Sequence, residues 1–143
     1  MTFFASSEKN IDRATLVLRL VLAAAFIGHG YLKVFQSGIG GTTHDFAGMG
    51  VPMPGITAPL ISVLELGGGV LILFGAFTRV IAALLACDML GAMLFVHMKG
   101  GFFAPKGIEL VLGNFAMASA LLLLGAGAFS VDAMLRRRGA PTP

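Results

Sequence analysis

The stretch over residues 65–88, ELGGGVLILFGAFTRVIAALLACD, restricts the fold more than any other part of the chain. Two apolar runs are joined by Gly75-Ala76-Phe77-Thr78-Arg79, a connection long enough only for a tight turn between neighbouring helices. Each run holds one carboxylate, Glu65 or Asp88, among Leu, Val, Ile, Ala, Phe and Gly. On a membrane-spanning helix such an acid is costly, faces the protein interior and takes a partner. The rest of the chain must therefore supply partners for two acids.

Composition agrees with a bilayer setting. The 143 residues are 57% hydrophobic and 12% charged, with mean hydropathy +0.90; a soluble domain has roughly 45–50% apolar and about 25% charged residues. The length suits one domain, and the lipid bilayer is its first partner. The net charge of +3 comes from basic residues at the ends of apolar segments. That pattern marks membrane topology and argues against nucleic acid as a partner. Cys87 is the one cysteine, so no internal disulfide can form, and its position in an apolar run predicts a small packing residue. The run that follows Lys9 and Arg13 is interrupted by Arg19 and continues past any cleavage point, which predicts a retained helix rather than a signal peptide.

Taken in order, residues 1–10 are expected to be an interfacial tail and residues 13–35 a first spanning helix. Residues 36–55 are expected to be a loop, since SGIGGTT is flexible and VPMPG cannot continue a helix. Its middle, HDFAGMG, would lie on the membrane surface or fold back over the helices. Further helices are predicted over residues 56–77, 80–98 and 108–126, with a second loop, KGGFFAPKG, before the last. Ser130 is placed to cap a short helix in a basic tail over residues 127–143. The expected fold class is all-α, a four-helix transmembrane bundle. Lys9, Arg13, Arg79, Arg136, Arg137 and Arg138 fall on one side and Lys99 and Lys106 on the other, so both termini are expected in the cytoplasm. The small residues on these helices, Gly67, Gly68 and Gly69 among them, suit close helix packing; with no strand before them they do not suit a nucleotide-binding loop.

Depth along the helices sorts the polar residues. Arg19 is roughly 9 Å and Asp88 roughly 12–14 Å from the cytoplasmic side, within reach of each other, so a structural ion pair Arg19–Asp88 is expected. His29, Lys33, Glu65, His97 and Glu109 converge from four helices on the outer half. Asp88 and His97, nine residues apart, point to opposite sides of a regular helix, which separates the two groups. The outer cluster has the chemistry for a quinone headgroup, with His as hydrogen-bond and proton donor near neutral pH, Glu as proton relay and Lys33 to offset developing negative charge. Phe102 and Phe103 could cover the ring. Axial haem ligation by His29 and His97 has weaker support, since it rests on two histidines alone, and so has a metal site of His29, His97, Glu65 and Glu109, whose ligand types suit but whose carboxylates Lys33 competes for.

Arg19 followed by HGYLKVF (29–35), FAGMGVPMP (46–54), ELGGGVLILFGAFTR (65–79), DMLGAM (88–93), HMKGGFF (97–103) and GAGAFSVD (125–132) resembles the DoxX family of small bacterial membrane proteins, over residues 13–132. The resemblance implies a four-helix inner-membrane protein and an association with oxidoreductases, since the related DoxD branch forms part of a thiosulfate:quinone oxidoreductase. The expected function is a membrane subunit of a redox, quinone-linked system, working with other membrane or redox proteins. The alternatives are a non-catalytic scaffold that docks a partner and, ranked lower for want of an inverted repeat, a proton-coupled carrier of a small solute.

Overall fold

The computed structural model describes residues 7–103 and 105–138, and over these the chain is helical with no strand. Helix α1 (Glu8–Tyr31) runs on into a π-helical segment, Leu32–Gln36. Next come α2 (Gly38–Met49), α3 (Pro54–Phe74) and α4 (Thr78–Ala92). α4 continues through a second π-helical segment, Met93–His97, and a 3-10 turn, Met98–Gly100. Helices α5 (Glu109–Leu124) and α6 (Val131–Arg138) complete the order. Three units, Glu8–Gln36, Pro54–Phe74 and Thr78–Gly100, are long and apolar enough to cross a bilayer; α5 is a shorter apolar helix.

The first helix starts earlier than expected. The Ser7 side chain accepts from the Asn10 amide, an N-cap that draws residues 8–10 into the helix; the remainder of the expected tail, residues 1–6, lies outside the described residues. The larger difference is α2, which stands where a loop was expected. Its glycines disfavour a helix, but it packs along α3, and the Thr42 hydroxyl donates to the Lys33 carbonyl at 3.0 Å. Tertiary contact supplies what local propensity lacks. The turn after α3 is as expected: Gly75, at φ 67°, ends that helix and α4 begins at Thr78.

α1 and α3 make the most extensive helix contact. Glycine permits it. A Cβ on Gly30 would land on the backbone of Leu66, and one on Gly69 would meet the Ile27 backbone nitrogen at 2.9 Å. Gly68 instead faces α4, with Ile81 at 3.2 Å from its notional Cβ, while Gly67 has open space. The three consecutive glycines thus serve three directions. Leu22, Ala23 and Phe26 from α1, Ile72 from α3, Leu85, Ala86 and Met89 from α4, and Val111, Ala118 and Leu121 from α5 form the shared core. Cys87, expected inside, is exposed on the outer face of α4.

Arg19 closes one end. Its Nε donates to the Ile72 carbonyl at 2.9 Å, Nη2 to Leu73 at 2.5 Å, and Nη1 to Ala126 at 3.1 Å and Phe129 at 2.6 Å. It therefore caps the carbonyl end of α3 and binds the turn after α5. The ion pair expected between Arg19 and Asp88 does not form: four of the five guanidinium N–H groups donate to carbonyls at the end of α3 and in the turn after α5. Gly75 makes this arrangement sterically allowed, because a Cβ there would lie 2.6 Å from the Arg19 Cζ. Around this centre, the Asp132 carboxylate accepts from the Phe77 and Thr78 amides at 2.8 and 2.9 Å, Asp12 accepts from the Ala128 amide at 2.8 Å, and Arg79 donates to the Leu123 carbonyl at 3.2 Å. The expected basic tail is thus, up to Arg138, a helix folded back on the α3–α4 turn, capped by Ser130 as the sequence predicts. The remaining tail residues, 139–143, lie outside the described residues.

Candidate functional site

The close contact of Gly30 with Leu66 fixes the register between α1 and α3. Lys33, nearly one turn beyond Gly30, is thereby set beside Glu65. Its ammonium reaches the Glu65 Oε2 at 2.5 Å, the one salt bridge among the described residues. Glu65 is buried, 4% exposed, and Lys33 is partly buried, so the pair is held from two helices with its acid inside. Lys33 lies in the first π-helical segment, whose wider turn alters the direction in which side chains leave α1; such segments are frequent at functional sites.

Asp88 completes the group. It is close enough to Glu65 and Lys33 to feel the charge of both. Its Oδ2 is buried without a partner. The expected division between an inner Asp88 and an outer Glu65 is therefore corrected. Measured from the α3–α4 turn, Glu65 lies nine residues before Phe74 and Asp88 ten after Thr78, which places both about 14–15 Å along their helices. The three groups form one constellation: one cation facing two acids at mid-span.

The remaining members of the expected outer cluster do not join it. His29 is exposed and lines an open groove on the outside of α1 with Ala25, Gly28, Tyr31 and Leu32. The register places it level with Gly67. His97 ends the second π-helical segment, and its Nδ1 lies 3.2 Å from the Lys106 carbonyl oxygen. Glu109 is exposed in the first turn of α5. Phe102 and Phe103 are exposed on the same loop, packed edge to face at 5.3 Å. Because His29 faces outward, it does not meet His97 across the interior as a haem would require. No three of the His, Cys, Asp and Glu side chains among the described residues are grouped to hold a metal, so the ligand set considered above is not assembled.

Sequence reasoning missed the polar layer around Arg19. Its one available signal was the Gly75 turn, which leaves α3 carbonyls in need of a donor. Asp132 lies outside the apolar segments and its ionisation is informative. Burial pushes its carboxyl up, but the Thr78 and Phe77 amides and the nearby Arg136 outweigh this and hold it below the usual carboxylate range.

The apolar helices, with charged groups turned inward, define a multi-pass membrane protein. A family model described as DoxX matches residues 14–98. The chain is 35% identical to Escherichia coli inner membrane protein YqjF over 92% of its length and 98% of the relative's. It is 35% identical to E. coli inner membrane protein YphA, over 82% and 86%. With the Bacillus subtilis protein named "Putative oxidoreductase CatD" it shares 36% identity over 73% and 75%. The chain belongs to the DoxX family and is a multi-pass inner-membrane protein. No solved structure matches it.

Proposed function

We propose that this protein is a membrane subunit of a quinone-linked redox system and that Lys33, Glu65 and Asp88 form its proton-exchanging site. One observation carries the reading: a Lys33–Glu65 pair with its carboxylate buried stands beside a second acid whose Oδ2 has no partner. Charged groups at mid-span are costly, and such groups mark proton and substrate pathways. The ammonium balances one carboxylate. The second needs a proton or a hydrogen-bond donor, and a quinol hydroxyl supplies one. Reduction of a quinone to quinol takes up two electrons and two protons. The electrons come from a partner redox protein; Glu65 and Asp88 relay the protons, and Lys33 offsets the negative charge that develops on the ring oxygen. His97 and Glu109, where α4 ends and α5 begins, line the proton route from that surface, with Phe102 and Phe103 at its mouth. The oxidoreductase name carried by the CatD relative supports this class of activity.

The same reading makes α5 the fourth span and sets both termini in the cytoplasm. Support comes from the basic residues gathered at the Arg19 end and from the packing of α5 along α4 over the common core. The test is purification in mild detergent with native lipid, followed by quinone extraction. Wild type should retain quinone, and Glu65→Gln and Asp88→Asn should lose it. A wild-type protein that neither retains nor binds added quinone overturns the reading.

A further inference from the structure

The Arg19 end carries a second feature that proton and quinone chemistry does not use. Beside α6 is an open cavity of about 520 Å³, lined by Asp12, Leu124, Gly127, Ala128, Ala133, Arg136 and Arg137. We propose that this cavity and the adjoining face of α6 hold the headgroup of an anionic phospholipid from the leaflet at this end of the molecule.

Position is the first argument. α6 starts within a few residues of the end of α5, so it lies at the depth of the headgroups. Rigidity is the second. The Asp132 carboxylate is bound to the Phe77 and Thr78 amides, the Asp132 amide donates to the Gly75 carbonyl at 3.0 Å, and Ala133 is buried. The helix is thus held in place, and its arginines are displayed from a fixed base. Its chemistry is the third. Val131, Met134 and Leu135 are exposed, as are Phe77 and Phe129 beside them, a set of side chains that suits acyl chains rather than water. Arg136, one turn beyond Asp132 and near it, is exposed, as are Arg137 and Arg138. Asp12 is the one acid in the lining, and its Oδ1 is occupied by the Ala128 amide. A short helix with apolar anchors and a basic run matches an interfacial lipid-binding element. The planar guanidinium fork fits a phosphodiester.

The experiment compares full-length protein, wild type and Arg137→Gln/Arg138→Gln, in detergent with added phosphatidylglycerol, phosphatidylcholine or inorganic phosphate. Lipid phosphorus per protein and the thermal midpoint are read. Phosphatidylglycerol should be retained by wild type and raise its midpoint, phosphatidylcholine should do neither, and binding should weaken about five-fold per arginine removed. Arg137→Lys/Arg138→Lys should keep most of the effect, which separates lost charge from lost fold. Equal response to phosphatidylcholine, or a Gln variant that binds like wild type, overturns the proposal. So does displacement of the lipid by inorganic phosphate at matching concentration, which would make the cavity a free-phosphate site.

Discussion

Lys33 and Glu65 hold each other, so the two residues fail together and separately in different ways. Breaking a buried pair by removing one partner leaves the other uncompensated, at a cost of about 3–5 kcal/mol, whereas removing both is far milder. Lys33→Met should therefore destabilise the protein sharply, since it leaves Glu65 and Asp88 facing each other without a cation. Lys33→Met/Glu65→Gln should recover most of the loss. Thermal unfolding in detergent checks this, and a double variant worse than either single one would show that the pair is not the source of the effect. Asp132 gives a pH signature. Its carboxyl is held below its usual range, so the stability it contributes is present above the unfolded carboxylate value, near 3.9, and is lost as pH falls through the lower folded value. Asp132→Asn should lower the midpoint at neutral pH by the equivalent of about 0.5–2 kcal/mol, as for a lost helix cap. It should also remove the acid-dependent part of the profile. Midpoints measured from pH 7 down to pH 3 decide it.

Helix contacts turn on which glycines face a neighbour. Gly30→Leu and Gly69→Val should push α1 off α3 and separate Lys33 from Glu65, whereas Gly28→Ala and Gly67→Ala, with nothing within 4 Å of the added carbon, should be neutral or slightly stabilising. Crosslinking yield between cysteines introduced on α1 and α3 reads the separation directly. The elements themselves could largely be read from the sequence. Long apolar runs and the Gly75 turn give α1, α3, α4 and their order, because hydropathy over some twenty residues is a strong signal. α2 could not be read, because its helix rests on contacts with α3 and not on its own glycine-rich residues. The site was half readable. Glu65 and Asp88 stand out as acids in apolar runs, and Lys33 is expected beside Glu65 but apart from Asp88. The direction of His29 was not available, because a regular helical wheel says nothing of which face a neighbour will cover, and the two π-helical segments change the wheel where Lys33 and His97 lie. The partner of Arg19 was misread for a related reason. An arginine in a span looks for negative charge, and the free carbonyls of a helix end serve as well as a carboxylate.

For the whole molecule, the proposed topology makes a simple prediction. Cysteines introduced at the Ser7 and Arg138 ends of a Cys87→Ser background should react with a membrane-impermeant thiol reagent only after the inner membrane is opened from the cytoplasmic side. Labelling in intact spheroplasts would reverse the orientation. Arg19 has a consequence for how the protein is made. Its donors reach carbonyls 53, 54, 107 and 110 residues further along the chain. The guanidinium enters the membrane with the first helix, yet two of its four acceptors are synthesised only after α5. Until the ribosome has delivered the turn after α5, an unfinished chain carries a buried cation with part of its hydrogen-bonding capacity unmet. A chain ending at Leu124 retains all of α1, α3, α4 and α5 but never passes that checkpoint, so pulse-chase labelling should find it degraded many times faster than the full-length protein. The same single residue thus ties the first helix to the turn after α5.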